Sequence, residues 1–444
     1  MAGPALSFNS LSATLSSAID EILDPRKPSN AMRYSVKDAV MGAFSCFFMQ
    51  SESFLDYQRQ LDSRSGQDNA QSLFGLEQIP SVEQIRNILD QLAASGLSSV
   101  FISIYQSLQA QGYLERFKVL DGHFLVALDG TEYYSSQKVS CPCCSTRTSK
   151  KGQVTYSHKA LLPVIVAPGH SAVISLPPAF ITPQDGHAKQ DCEQAAAKRW
   201  ITEASEIFSQ QAVTLLGDDL FSRQPMCEAA LASHFSFIFV CLPESHPALY
   251  DWIDFNAAKG KVQMIEYSQR NGKTDEVWQL RYLNEVPMRS ITPTLSVNWC
   301  ELRVTRQSDG KALYLNSWVT DHILSDDSVR AVVSAGRCRW KTENENHNVL
   351  KTKGYHLEHN FGHGKQHLSA YLLTLNLLAF LFHTVLQLAD EPYQLIRQQR
   401  GTRKGFFQDI LTLTKYLWFE NWTALIEFML EDKKTAAKSK RNTS

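Results

Sequence analysis

Two short apolar runs, each ending in an aspartate, constrain this chain more than any other feature. Phe124-Leu125-Val126-Ala127-Leu128 leads into Asp129, and Val213-Thr214-Leu215-Leu216-Gly217 leads into Asp218. Runs of this length, bounded by turn residues, read as strands buried on both faces. Such strands need cover above and below, which points to a layered α/β fold.

The surrounding pattern extends this reading. Strand-like runs at 124–128, 160–167 and 172–176 precede a helix at about 189–210. A strand at 213–217, a helix at 224–232 and a strand at 235–241 follow. From 260 to 316 the pattern shortens to strands again: Val262–Tyr267, Glu276–Leu283, Leu295–Val304 and Ala312–Trp318. A long helix is then expected from Asp326 to Lys353, with Ser325 as its cap and Gly354 as its end. That helix carries Arg339-Trp340-Lys341-Thr342-Glu343.

Helices flank this α/β stretch on both sides. Val36–Phe48, Ser81–Leu92 and Leu97–Gln111 carry helical spacing before it. The expected organisation is a flexible arm (1–28), a helical N-terminal module (29–115), a first core part (116–245) and a β-rich insertion (246–316). A second core part with the catalytic helix (317–365), C-terminal helices (366–432) and a basic tail (433–444) complete it. The N-terminal module reads either as an ordinary helical subdomain or as a helix-turn-helix-like element that recognises DNA ends. The tail reads as a solvated end or a phosphate contact. Leu368 to Leu388 carries no charged residue and is long enough to span a membrane, but Ser369, Thr374, Asn376, His383, Thr384 and Gln387 interrupt it. A buried core helix is expected there, with no membrane partner.

A net charge of −1 over 444 residues neither demands nor excludes nucleic acid. Nine cysteines, mostly scattered singly, suggest no disulfide framework. No basic and apolar leader opens the chain, so a cytoplasmic, nucleoid-associated location is expected. No Walker-type phosphate loop occurs, so no ATP requirement is indicated.

Asp129 and Asp218 on strand ends and Glu343 on a later helix are the ingredients of a two-metal phosphoryl-transfer site. Mg²⁺ (or Mn²⁺) prefers carboxylate, water and phosphate oxygens, which suits this donor set. Arg339 lies one helical turn before Glu343 and would hold a phosphate; Lys351 is a second candidate for that contact. Asp219 is the alternative to Asp218. Taken singly, each carboxylate has a plainer reading: a turn aspartate at Asp129, a cap at Asp218 or Asp219, a solvated helix acid at Glu343. A separate group, Cys141-Pro142-Cys143-Cys144, has zinc-knuckle spacing, with His158 further on as a third ligand for a structural Zn²⁺. Its plainer reading is a thiol-rich surface loop. His187 and Cys192 lie further along. His347, His356, His359 and His363 read as packing and hydrogen-bonding residues or as DNA-backbone contacts.

These residues resemble the DDE transposases of bacterial insertion sequences, most closely the ISNCY group. Leu128-Asp129-Gly130-Thr131 is similar to the first-aspartate motif, and Leu216-Gly217-Asp218-Asp219-Leu220-Phe221 to the second. Asn316-Ser317-Trp318-Val319-Thr320-Asp321 is similar to the strand before the last helix, and Arg339 with Glu343 to the Arg and Glu of the Tyr-Arg-Glu-Lys signature. The signature's Tyr would fall at Gly336, and its Lys at Leu350, one residue before Lys351. The resemblance implies an RNase H-like catalytic core interrupted by a β-rich insertion. It implies a transposase that binds terminal inverted repeats, cleaves and joins DNA with two metal ions, and works as a homodimer or larger assembly. The alternatives are a catalytically silent DNA-binding descendant and another RNase H-like nuclease.

Overall fold

In the computed structural model, residues 6–28, 32–61, 64–183, 192–272 and 274–441 are described. Fourteen strands are numbered in chain order among them. They are β1 (Lys118–Val119), β2 (His123–Ala127), β3 (Gly130–Ser136), β4 (Ser145–Thr148), β5 (Val154–Leu161), β6 (Val164–Val166) and β7 (Ile174–Ser175). The rest are β8 (Ala179–Ile181), β9 (Val213–Gly217), β10 (Ser236–Val240), β11 (Gln263–Asn271), β12 (Thr274–Pro287), β13 (Ser296–Arg306) and β14 (Ala312–Thr320).

The main sheet runs β11-β12-β13-β14-β10-β9-β2-β6-β7, with β1 on β2. Strands β2, β9 and β10 are parallel neighbours, whereas β6 and β7 run antiparallel to the strands before them. The apolar runs sit at its centre, every residue of β9 buried and Phe124 to Leu128 fully buried. The strands expected between 260 and 316 form, but they are not a separate β-rich unit. They extend the core sheet through β14, which pairs with β10. The segment also begins with a helix, Pro247–Ala258, whose three buried positions lie on one face.

A second sheet, β3-β5-β4 with β8 on β5, branches from the first at Asp129. Ala127 still pairs across to Leu216 in the main sheet, while Gly130 already pairs with Leu161 in the second. Residues 160–167, read as one strand, are split between β5 and β6 at Leu162-Pro163. Proline there has no N–H to offer a continuous ladder.

The helices are α1 (Phe8–Asp20), α2 (Val36–Phe48), α3 (Phe54–Leu61), α4 (Arg64–Phe74), α5 (Val82–Leu89), α6 (Ser98–Ala110), α7 (Glu193–Ile207) and α8 (Gln224–Ala232). They continue with α9 (Pro247–Ala258), α10 (Val329–Arg337), α11 (Asn348–Thr352), α12 (Leu368–Ala389), α13 (Glu391–Arg400), α14 (Arg403–Tyr416) and α15 (Trp422–Arg441). The expected flexible arm instead contains α1. Ser7 and Ser10 form a reciprocal cap at its start, and Phe8, Leu11, Leu15 and Ile19 are buried along one face. Phe8 meets Phe48, Phe74 and Trp422, which joins the two ends of the chain in one core. The N- and C-terminal helices therefore form one body. Asn69 strengthens the junction by donating to the carbonyls of Thr414 and Leu417 and accepting from the Phe419 N–H.

Helix α12 is the one described helix long and apolar enough to cross a membrane, and 83% of its apolar window is buried inside the protein. Its polar interruptions have protein partners. Asn376 donates to the Tyr355 carbonyl, His383 meets the Tyr355 hydroxyl, and Thr374 and Thr384 bond back to carbonyls one turn earlier. A core helix of this kind contributes about 1.5–3 kcal/mol for each fully buried leucine.

The helix expected from Asp326 to Lys353 is broken. Helix α10 ends at Arg337, a π turn covers Thr342–His347, and α11 completes the segment.

Candidate metal and phosphoryl-transfer site

Asp129 and Asp218 each follow the C-terminal end of a central strand. Because β2 and β9 are parallel neighbours in register at Ala127 and Leu216, the two aspartates leave the sheet side by side. The Leu128 N–H still donates to the Leu216 carbonyl at 2.8 Å, so the strands stay paired up to the site. The side chain of Asp218 accepts the Leu220 N–H at 2.9 Å, which turns the chain after β9.

Asp219 faces away from this pairing. It accepts from the Leu242 N–H at 2.8 Å and the Ser245 hydroxyl at 2.6 Å, and so fastens the loop after β10. That work as a loop clamp leaves Asp218 as the carboxylate beside Asp129.

Glu343 approaches from the π turn. A π turn takes one more residue than an α turn, and such insertions gather at functional sites. The turn is anchored by Lys341, which is buried and donates to the carbonyls of Ala167 at 2.7 Å and of His170. Around it, Thr342 Oγ1, both side-chain polar atoms of Asn346 and His347 Nε2 are buried without a hydrogen-bond partner among the described residues. Unmatched polar atoms concentrated in one turn are rare in a part of a fold that serves packing alone.

Burial raises Asp129 to about 7; Arg339 opposes the shift, and Glu193, Asp218 and Glu343 add to it. The three predicted carboxylates and Arg339 thus share one electrostatic neighbourhood, but among the described residues the carboxylates are not a group whose oxygens all lie within 4.8 Å of one another. Two members were not read from the sequence. His347 Nδ1 lies 3.5 Å from Asp129 Oδ2, and burial, with Lys351 and Arg339, holds its imidazole down near 4, hence neutral. Glu193, the first residue of α7, accepts the Gly130 N–H at 2.8 Å, and burial, then Asp218, raises its carboxyl. Glu193 had no local signal, since it lies 63 residues from Gly130 just after a segment outside the described residues, whereas His347 belongs to the histidine cluster expected to pack and hydrogen-bond.

Lys351 is not free at this site. Its ammonium pairs with Glu358 at 2.9 Å. The extra residue of the π turn does bring position 351 to the helical phase that position 350 would hold in an unbroken α-helix. At Gly336 no tyrosine fits: a Cβ there would stand 2.9 Å from Ile238 Cγ2 and 2.9 Å from Trp318 Nε1.

A second cluster lies in the β3–β5 sheet. Cys141, Cys144, His158 and His363 bring four ligand atoms within 4.8 Å of one another, a set able to hold a metal ion. The sulfurs are 3.7 Å apart, His158 Nε2 is 3.5 Å from each, and His363 Nε2 is 3.3 Å from Cys144 Sγ and 3.2 Å from His158 Nε2. The His363 Nδ1–H donates to the Gly364 carbonyl at 2.9 Å, which turns the lone pair of Nε2 toward the cluster. Burial, then His363, drives His158 down to about 4, so its ring is neutral as well. The fourth member, His363, replaces the packing or DNA-contact role expected for it. His187 lies outside the described residues, and Cys192 is exposed at the start of α7, away from the four.

Compared with protein-family models and with curated proteins, the chain matches none.

Proposed function

We propose that this chain is a DDE-type transposase, which cleaves DNA at the ends of its element and joins those ends to a target. The observation that carries the reading is the pairing of Asp129 and Asp218 at the ends of adjacent parallel strands, with Glu343 on the π turn close enough to influence the Asp129 charge. The strand order β7-β6-β2-β9-β10 supports an RNase H-like core, with the first three antiparallel and the last two parallel to β2.

The donor set at the rim is all oxygen, which fits Mg²⁺ or Mn²⁺ and no soft metal. Asp129, Asp218 and Glu343 would hold two such ions, which when bound supply an activated oxygen nucleophile and stabilise the leaving oxygen. Arg339, among the described residues engaged by no side-chain hydrogen bond or ion pair, holds a DNA phosphate beside the carboxylates. The neutral His347 packs on Asp129 and fixes its carboxylate without competing as a cation. Lys341 keeps the turn seated on the sheet. The partner is DNA bearing terminal inverted repeats, gripped by a homodimer or larger assembly in the cytoplasm.

Duplexes copied from the sequences flanking the coding region test the proposal, with Mg²⁺ or Mn²⁺ and the full chain. Wild type is expected to nick and join them. Asp129→Asn, Asp218→Asn and Glu343→Gln should bind them and leave them intact. Cleavage that survives Asp129→Asn would overturn the reading, and nicking without joined products would favour a plain nuclease.

We also infer that the Cys/His cluster holds structural Zn²⁺. Tetrahedral Zn²⁺, with bonds of about 2.3 Å to sulfur and 2.05 Å to nitrogen, sets ligand separations of roughly 3.8 Å (S–S), 3.6 Å (S–N) and 3.3 Å (N–N). The observed separations of 3.7, 3.5, 3.5, 3.3 and 3.2 Å follow that pattern pair by pair. Metal analysis of protein purified without chelator tests it, one zinc per chain being expected.

A further inference from the structure

Behind the π turn lies a cavity of about 140 Å³ that the transposase reading does not use. Its polar lining includes Glu345, His383, Tyr393, Arg397 and Arg403. Two guanidiniums thus face a space in which Glu345 is the one lining carboxylate.

The hydrogen bonds define what the cavity offers. Arg403 Nη1 donates to the Tyr355 hydroxyl at 2.6 Å, and that hydroxyl lies 2.6 Å from His383 Nδ1. A guanidinium cannot accept, so the phenolic oxygen is the acceptor in the first bond. Burial and the two arginines hold His383 far below the usual imidazole value, so the ring is neutral. His383 is 2% exposed, and its ring packs 4.2 Å from that of Phe48. Arg397 Nη1 is buried without a hydrogen-bond partner among the described residues. An unsatisfied guanidinium donor at the wall of a cavity is costly unless an acceptor fills the space.

We propose that this cavity binds a phosphate-class oxyanion. Its volume is on the order of five waters, enough for one tetrahedral anion. The charge fits, since two guanidiniums exceed the single carboxylate of Glu345. Glu345 lies on the π turn two residues beyond Glu343, so the occupant sits against the segment that presents the catalytic carboxylate. The site goes beyond the transposase reading and does not depend on it.

Thermal unfolding of the full chain in inorganic phosphate, against chloride at equal ionic strength, tests the proposal. The wild-type midpoint should climb with the logarithm of phosphate concentration, as it does for any ligand that binds the folded state alone. Arg397→Gln should weaken the apparent affinity at least about tenfold, the loss expected for a charge-assisted hydrogen bond. Lys404→Gln, which removes an exposed charge nearby, should leave the response intact. Single-stranded DNA with a 5′-phosphate, set against the same strand with a 5′-hydroxyl, identifies the source. Displacement by the first alone assigns the site to a DNA end, and no displacement assigns it to the free ion. No phosphate-specific shift in wild type, or an equal shift in Arg397→Gln, overturns the proposal. Should Arg397→Gln fail to fold, broadening of the phosphorus resonance by wild type, reversed by arsenate and not by chloride, carries the same decision.

Discussion

The carboxylate of Glu193 occupies the space that a side chain on residue 130 would take. Its Oε1 accepts the Gly130 N–H at 2.8 Å, and a Cβ on Gly130 would stand 2.6 Å from its Oε2. Each residue thus requires the other. Gly130→Ala should displace Glu193 from the strand exit after Asp129 and cost about 1–3 kcal/mol of stability. Denaturant melts of Gly130→Ala and of Gly130→Ala combined with Glu193→Ala check this. The second change should relieve most of the first; additive losses would show that the two are independent.

Asp129 sets a pH dependence. Its folded value of about 7 lies above the ordinary carboxylate value, mainly through burial. A raised value means that the folded state holds the proton more tightly than the unfolded one. The associated stability is therefore complete below about pH 4 and is lost as pH rises through 7. Cation-free protein should melt lower at pH 8 than at pH 5.5, and Asp129→Asn should flatten that difference. Mg²⁺ competes with the same proton, so its affinity should rise over this interval. Calorimetric titrations at several pH values measure it.

Much of this centre was legible because its framework is local. Both aspartates terminate apolar runs that can only be strands, and Val36–Phe48 is bounded as its Ser35 cap dictates. What was not legible depends on long-range contact. Glu193 meets Gly130 across 63 residues, and His363 meets Cys144 across 219. Helix α1 was read as an arm because its serines and alanines hide a four-residue apolar face. The π turn has no spacing signature, since Thr342–His347 is polar throughout and polar residues carry no period to shift.

Gly336 shows how the chain departs from the tyrosine expected there. Gly336→Ala should push against Ile238 and Trp318 and destabilise by about 1–3 kcal/mol. Since α10 leads into the π turn, the substitution should also weaken cleavage. Unfolding curves and nicking rates measured on the same preparation check both effects, and an unchanged melt would contradict the packing described.

The carboxylate of Asp90 accepts the N–H groups of Lys365, Gln366, His367 and Leu368, capping α12 from a different helix. Burial works to raise its titration, but the four N–H groups outweigh that and hold it low. A lowered value contributes stability above the ordinary carboxylate range that disappears as pH falls through the folded value. Asp90→Ala should cost about 1–3 kcal/mol at neutral pH and less in acid. Melts at pH 7 and pH 3 compare the two.

Zinc should depend on His363 as strongly as on the cysteines. His363→Ala and Cys144→Ser should each lower zinc content well below one per chain, and chelation of wild type should lower its melting midpoint. Full zinc occupancy in His363→Ala would remove that residue from the set.

The distance between Cys144 and His363 along the chain, 219 residues, has a bearing on biosynthesis. The first three corners of the Cys/His cluster leave the ribosome together, within 17 residues of each other. The fourth arrives only when most of the polypeptide has been made. Until then the nascent hairpin exposes two thiols and one imidazole, and any metal it captures is held by an incomplete cage. Closure thus marks the moment at which the C-terminal half has docked on the N-terminal half, a built-in check that translation has run past the π turn.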